Sequence, residues 1–387
     1  MKTRRIVHIL PRFSQDRPGG AEIAVASLAP HLEELGMRSE IWTTRRAGEA
    51  TSERFGDLLV RRFSGLFLSK KERGLAERGK VPISLSLAWN LAIRSRPDVL
   101  HLHLHNRLSS LAATVAKARR IPTVITLHSR FRLIRPRPIY WFPNEAAVRL
   151  ADAVIGVAPL ITEMVVSAGI RPRRGATIPN GVDIDLFRGD GAAFRRELDI
   201  NSGPVVLCVG RIYDVKNQLG LIDSFEQLML DVPDAHLVLL GFPADREYFE
   251  KVVRAISRPG LEGRCHLLTD VTQQDHRFFD AYAAADVVAI PSRFEALSLV
   301  ALEAWAAGAP LVANRVGGLA TLITPGVDGL LVDETDDPSA MTNALRRVLT
   351  DPQLADDLRT NASKTAIRYS WREIARDLSV VYESVSR

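Results

Sequence analysis

The chain has 387 residues, 46% of them hydrophobic and 25% charged, with two cysteines and a net charge of +6. That length exceeds what one core accommodates, so two domains are expected, and no apolar run reaches the length of a membrane span. Cys208 and Cys265 each lie in an apolar run, which argues against a disulfide framework or metal site and for buried small side chains in a reducing compartment.

Taken in chain order, strand patterns fall at 5–10, 39–43, 58–62, 98–102, 122–127 and 153–157, with helical periodicity at 20–36, 85–95, 107–119 and 144–151. The segment Arg5-Ile-Val-His-Ile-Leu10 reads as a strand rather than a secretion signal. Basic loops interrupt at 62–82 and 130–143. The second half alternates more regularly, with strands at 204–209, 236–240, 265–268, 286–290, 310–313 and 329–332. Its helices fit 217–230, 246–257, 275–284, 299–307, 338–349 and 351–368. A turn-rich stretch at 179–203 marks the boundary. Such alternation predicts an α/β protein of two doubly wound, Rossmann-like parallel-sheet domains with a cleft between them. Ligands in such sheets bind beyond the carboxyl ends of the strands.

Charge is unevenly divided. Residues 1–190 carry 31 Lys/Arg against 17 Asp/Glu, a net of +14; the remainder carries 20 against 28, a net of −8. A cationic first half suits an anionic partner such as a membrane surface, a phosphorylated lipid or an acidic glycan. Nucleic acid is the rival reading, and a solvated basic surface the simplest one. Residues 61–80 carry seven Lys/Arg against two Glu, and 129–143 carry four Arg and no acid, both interleaved with aromatic or aliphatic side chains. That composition fits peripheral contact with an anionic membrane, or an acceptor site.

The stretch most informative about chemistry is 291–310. Glu295 falls in a loop after an apolar strand, and Glu303, eight residues on, falls within a helix that begins near Ser298. Positions eight apart return to nearly the same helix face. Between the two carboxylates lie the free backbone N–H groups of a helix start, a natural anion site. A phosphate flanked by two hydroxyl-binding carboxylates describes a sugar nucleotide. Gly210 and Arg211 follow the strand at 204–209, and Lys216 precedes the next helix. Two cations there suit a diphosphate, with Arg offering a fork and Lys a point charge; a surface pair with acids such as Asp214 is the plainer alternative. Pro18-Gly-Gly-Ala-Glu22 opens the first helix, where paired glycines allow close backbone approach. Gly-x-Gly-x-x-Gly and Walker A sequences are missing, which argues against nicotinamide and P-loop readings. His101 and His103 share one strand face, where they suit a metal ion but have no carboxylate partner at metal spacing; satisfied structural histidines are the favoured reading. His128 ends a strand and suits a hydrogen bond to a sugar hydroxyl or a phosphate.

With these residues together, the chain resembles glycosyltransferase family 4, retaining enzymes of the GT-B fold. The resemblance covers nearly all of the sequence. It rests on Gly19-Gly-Ala-Glu22, Asp98-Val-Leu-His-Leu-His103, Ile178-Pro-Asn-Gly-Val-Asp183, Val209-Gly-Arg211 with Lys216-Asn217, and Pro291-Ser-x-x-Glu295 with Glu303. It implies domains at 1–185 (acceptor-binding) and 186–370 (donor-binding), with 371–387 crossing back to the first. It implies Arg211 and Lys216 on the donor diphosphate, Glu295 on the transferred sugar, and Glu303 on the ribose. Backbone N–H groups of Leu297, Ser298 and Leu299 would meet the phosphates, strand-end backbone near Asp270 and Val271 the base, Gly19 and Gly20 the donor, and His128 the donor sugar. It implies no cofactor or metal, a nucleotide-sugar donor (UDP-linked by family frequency), a sugar or lipid-linked acceptor, and a cytoplasmic protein with peripheral membrane association open. A sugar-nucleotide epimerase on the same fold, a phosphorylase and a non-catalytic binding partner are the alternatives. The chain departs from the family at Ala296-Leu-Ser-Leu299, where Gly-Phe-Gly is common. Ser298 is expected to serve there as a helix start. Thr321 also stands where a Glu is frequent.

Overall fold

The computed structural model describes residues 3–14, 19–46, 48–66, 83–131, 145–333 and 336–386. Most of the two basic loops, and Pro18, lie outside the described residues. The chain divides into two compact units, Met1–Asn180 with Trp371–Arg387, and Gly181–Ser370.

The first unit is built on an eight-stranded sheet ordered β3-β4-β2-β1-β5-β6-β7-β8. The strands are β1 (Arg4–Ile9), β2 (Met37–Arg45), β3 (Ser52–Phe55), β4 (Leu58–Ser64), β5 (Val99–His103), β6 (Thr123–Leu127), β7 (Ala153–Gly156) and β8 (Gly175–Thr177). All pairings are parallel except β3 with β4, an antiparallel edge that sequence pattern did not anticipate. β5, β6 and β7 are buried throughout, which explains their unbroken apolar character. Helix Gly20–Glu34 packs against the C-terminal helix Trp371–Val385. Leu28, Leu32, Trp371, Ile374 and Tyr382 share one core with Ile6, Val99 and Val124. The last helix therefore belongs structurally to the first unit.

The second unit holds a six-stranded, all-parallel sheet ordered β11-β10-β9-β12-β13-β14. Its strands are β9 (Val205–Val209), β10 (His236–Leu240), β11 (Cys265–Leu268), β12 (Val287–Ile290), β13 (Leu311–Asn314) and β14 (Leu330–Val332). Asp245, Asp275, Asp337 and Asp351 each accept from a backbone N–H of the first turn they precede, so each helix start is fixed by a residue readable in the sequence. Cys208 is buried and Cys265 half-buried, both free, and burial pushes both thiols up to about 12.

Strand order locates the functional ends. In the first sheet the chain runs outward through β2 and β4, then returns to add β5 on the other side of β1. In the second it runs through β10 and β11, then returns to add β12 beside β9. The β1/β5 and β9/β12 junctions are the topological switch points, where doubly wound sheets open a crevice at the strand carboxyl ends.

Candidate functional site

In the second unit, the residues singled out from the sequence converge on the β9/β12 switch point. Gly210 leaves β9 with φ +148°, and a β-carbon there would lie 3.4 Å from Lys216 Cε. The lysine stem thus passes beside the glycine. Lys216 Nζ donates to Glu295 Oε1 at 2.5 Å, with both side chains largely buried. Ser292 Oγ donates to the same carboxylate oxygen at 2.8 Å. Asp214, the acid nearest in sequence, does not take Lys216; it pairs with Arg293 at 3.0 Å. Arg293 N also donates to Val215 O, which ties the loop after β12 to the turn that carries the lysine. Arg211 is exposed and stacks over Tyr213 at 5.0 Å. It forms no salt bridge among the described residues.

Glu303 lies inside helix Leu299–Ala306 and is buried. Tyr282 OH donates to its Oε2 at 2.5 Å, and Gln273 Nε2 donates to Oε1 at 3.2 Å. Burial raises the Glu303 carboxyl to about 7, opposed by the Tyr282 hydrogen bond and the Lys216 charge. Burial likewise drives the Tyr282 phenol well above its usual value. The two glutamates therefore differ: Glu295 is half of an ion pair, whereas Glu303 is a carboxyl held among neutral donors.

The loop joining them is held from beneath. A β-carbon on Gly317 would fall 1.9 Å from Glu295 O, and one on Gly318 would fall 2.2 Å from Ala296 O. Gly318 N donates to Glu295 O at 2.9 Å. Asn314 Nδ2 donates to Pro291 O at 2.7 Å. Leu297 and Ser298 are buried and Leu299 half-buried. Ser298 corrects one expectation. It occupies the N-cap position with φ 112°, makes no capping bond, and its buried Oγ has no hydrogen-bond partner among the described residues. The left-handed backbone favours glycine, and at that φ the hydroxyl does not reach the N–H groups it would cap. Val271 is buried just past β11, and Asp270 beside it pairs with Arg277 at 2.9 Å.

The first unit places the other named residues at the β1/β5 switch point or near it. Gly19 is the N-cap of helix Gly20–Glu34 at φ −86°, and among the described residues a β-carbon there would meet nothing closer than Glu22 Oε1 at 3.9 Å. Glu22, in the helix's first turn, accepts from Ser14 N at 3.2 Å and pairs with Arg12 at 3.5 Å; burial raises its carboxyl. His128 follows β6, and its Nε2 meets His103 Nδ1 at 3.0 Å. His103 Nε2 meets His8 Nδ1 at 3.1 Å, and His8 Nε2 meets Ser39 Oγ at 3.3 Å. Burial holds His8 down to about 3, His128 down to about 4, and His103 well below the usual histidine range, so all three rings are neutral. A neutral imidazole donates from one nitrogen and accepts at the other. The three rings must therefore share one direction from Ser39 to His128. Among the described residues His128 Nδ1 makes no well-formed hydrogen bond, Asn180 being the polar neighbour that opposes the burial shift. His101 meets Tyr382 OH at 2.6 Å and Thr126 Oγ1 at 2.7 Å.

His8, His101 and His103 offer nitrogens within 4.8 Å of one another, a spacing at which a metal ion could be held. All six of their ring nitrogens are instead engaged in the hydrogen bonds just described. Sequence reasoning did not find His8, Tyr282 or Gln273. No local pattern links Tyr282 to Glu303 or His8 to His103; only the pairing of strands and the packing of helices brings them together.

The family model described as Glycosyltransferase Family 4 matches residues 18–186, and that described as Glycosyl transferases group 1 matches residues 191–365. A D-inositol 3-phosphate glycosyltransferase 1 of Catenulispora acidiphila is 28% identical, over 95% of this chain and 91% of that protein. A D-inositol 3-phosphate glycosyltransferase of Streptosporangium roseum is also 28% identical, over 94% and 88%. Among solved structures, Anabaena HepE in complex with UDP and glucose aligns with TM-score 0.78 and 22% identity, over 98% of this chain and all of that one. Sucrose-phosphate synthase of Thermosynechococcus elongatus aligns with TM-score 0.73 and 23% identity, over 99% of each. These structural likenesses establish the fold, two Rossmann-like units of the GT-B class.

Proposed function

We propose, from the premise that this chain belongs to glycosyltransferase family 4, that it moves a sugar from a nucleoside diphosphate, UDP by preference, to a hydroxyl acceptor with retention of anomeric configuration. The observation that carries this reading is the pair of unlike glutamates at one switch point, Glu295 bonded to Lys216 and Glu303 held by Tyr282 and Gln273. On this reading Glu303 accepts from the ribose hydroxyls, with Gln273 giving up its place, and Glu295 accepts from hydroxyls of the transferred sugar. Lys216 and Arg211 neutralise the diphosphate, aided by backbone N–H groups of Leu297, Ser298 and Leu299. The base lies against backbone near Val271. In the first unit, Gly19, Gly20 and His128 are assigned substrate contacts.

The reaction needs no protein nucleophile. The acceptor oxygen bonds to the anomeric carbon as the bond from that carbon to the diphosphate oxygen breaks, and the acceptor's proton passes to the departing phosphate on the same face. Stabilising that leaving group is the protein's largest contribution. Binding and turnover are proposed to be metal-independent.

For the acceptor we favour an anionic or lipid-linked hydroxyl compound, since residues 1–190 carry a net of +14. D-inositol 3-phosphate, named for the relatives, is one such anion and heads the panel to be tested. Purified protein is incubated with UDP- and GDP-sugars and that panel, with and without a chelator, and the product anomer is read by NMR. Turnover giving the retained anomer and unaffected by chelator supports the reading. Normal turnover in Glu303→Ala would remove the site assignment, and conversion of the sugar nucleotide to an isomer without acceptor would replace transfer by epimerisation.

A further inference from the structure

The helical segment at 85–94 is apolar on both faces. Leu85–Trp89 is α-helical and runs without a break into the wider-turned Asn90–Arg94. Leu87, Ala88 and Leu91 form its buried side. Leu85, Trp89 and Ile93, spaced four apart on the opposite side, are 58%, 60% and 62% exposed. A surface helix ordinarily turns polar side chains outward. Here the outward residues include a tryptophan, the side chain that favours the boundary between water and lipid.

The helix is firmly built. Ser84 Oγ accepts from Leu87 N and donates to Ser64 O. Ser95 N closes the last turn on Asn90 O, and the Arg119 guanidinium donates to Leu91 O and Ala92 O. The exposed stripe is thus held in place by polar anchors at both ends. Leu66, 53% exposed, extends the apolar surface: its backbone pairs with Ile83 just ahead of the helix.

The surroundings are cationic. Residues 83–120 contain six Lys/Arg and a single acid, Asp98, and Asp98 accepts from Arg5 N. Arg94 and Arg96 are exposed at the end of the helix that carries Trp89 and Ile93. Among the described residues no helix is long and apolar enough to cross a membrane. A short fixed helix with an apolar outer stripe and cations at its end suits the interfacial plane instead.

We propose that the outer face of helix 85–94 seats on an anionic lipid surface, with Leu85, Trp89 and Ile93 entering the acyl boundary and Arg94 and Arg96 meeting the headgroups. This stands apart from the donor reading and holds whether or not sugar is transferred. It assigns membrane contact to a described helix, whereas composition had pointed to the neighbouring basic loops.

The full chain is sedimented with vesicles of phosphatidylglycerol and phosphatidylcholine in equal parts, and with phosphatidylcholine alone. Binding to the anionic vesicles, weakened by salt, is expected. Trp89→Ser with Ile93→Ser should lower it at least about tenfold, a small share of what burying two large side chains supplies. Arg94→Glu with Arg96→Glu should lower it and flatten the salt dependence. Because the replaced residues are exposed, the thermal midpoint should not move. In the unmodified protein, bromine-labelled acyl chains should quench a tryptophan signal that Trp89→Phe lacks, a readout independent of the serine variants. Absence of binding at low salt overturns the proposal, as does binding undiminished by the serine pair. A dimer that the serine pair abolishes would assign the face to a second copy. Loss of binding only when Lys70, Lys71 and Arg73 become Glu would move the contact to the preceding basic segment.

Discussion

The two switch points occupy the same address in two similar sheets and hold opposite chemistry. At β9/β12, Lys216 and Glu295 form a salt bridge at 2.5 Å, with Glu303, its carboxyl raised to about 7, close by. At β1/β5, two buried imidazoles and a half-buried third are neutral and joined nitrogen to nitrogen. The topology supplies a crevice in both cases; the strand-end residues decide whether it offers charge or oriented neutral dipoles. A diphosphate needs the first. A group selecting among hydroxyls can be served by the second, since a neutral ring chooses donors and acceptors without pulling in counterions.

The largest expected effect tests the charged site. Lys216→Ala should reduce kcat about a thousandfold, the scale of losing one preorganised charge on a leaving group. It should also cost about 2–4 kcal/mol of stability, because Glu295 is left largely buried and unpaired. Adding Glu295→Gln should recover most of that stability and none of the activity. Recovered activity in the double variant would mean that the pair is structural only.

Glu303 follows. Its carboxyl is raised from the usual 4.5 to about 7, so the folded state holds a proton that the unfolded chain has already lost. That contribution is fully present below about pH 4.5 and disappears as pH rises through 7. Glu303→Gln should therefore stabilise the protein at pH 8 by about 1–3 kcal/mol and by little at pH 5, read as thermal midpoints. UDP affinity should fall about tenfold or more in this variant. In the unmodified protein, UDP affinity should weaken as pH drops below 7, because ribose hydroxyls need the ionised acceptor. A flat calorimetric Kd between pH 5.5 and 8 would show that Glu303 is not the ribose acceptor.

These residues were unequally legible. Near-continuous apolar runs such as Val205-Val-Leu-Cys-Val209 announced every strand of the second sheet, and helical periodicity announced most of its helices. Helix Pro159–Ser167 went unseen because it is short and mostly apolar, which leaves little periodic contrast. Helix Gly191–Glu197 hid inside turn-rich sequence. Strand β3 was missed because only its hairpin partner β4 gives it a reason to be extended. In the site, Arg211, Lys216, Glu295 and Glu303 stood out by charge and position. Tyr282 and His8 did not: a buried tyrosine in a helix and a histidine in a strand carry no mark of their partners. Such pairings are products of packing, and one-dimensional pattern does not encode them.

The imidazole chain sharpens the comparison from the neutral side. His103→Leu cuts the link between Ser39 and His128 without adding charge. Long-range nitrogen-15 NMR of labelled histidine should show His128 changing from one neutral tautomer to a mixture. If His128 meets substrate, turnover should drop about tenfold through kcat more than KM, with His103→Gln, which can still bond to one neighbour, falling less. An unchanged His128 spectrum would mean that its tautomer is set elsewhere.

The smallest effects come from the two helix starts, where residue type and backbone are reversed. Gly19 sits at φ −86° with room for a β-carbon, whereas Ser298 sits at φ 112°, where glycine fits best. Local sterics therefore explain neither choice. Ser298→Gly should relieve backbone strain and remove an orphaned hydroxyl, raising stability by about 1 kcal/mol after the entropy cost of glycine. Gly19→Ala should leave stability level or slightly higher, by about 0.5 kcal/mol. If both glycine and serine are there for a ligand, each variant should lose activity while holding or gaining stability, and Gly19→Ala should raise KM for the nucleotide sugar. Full activity in Gly19→Ala would show that no substrate approaches that backbone closely, leaving the first unit's contribution to its histidines.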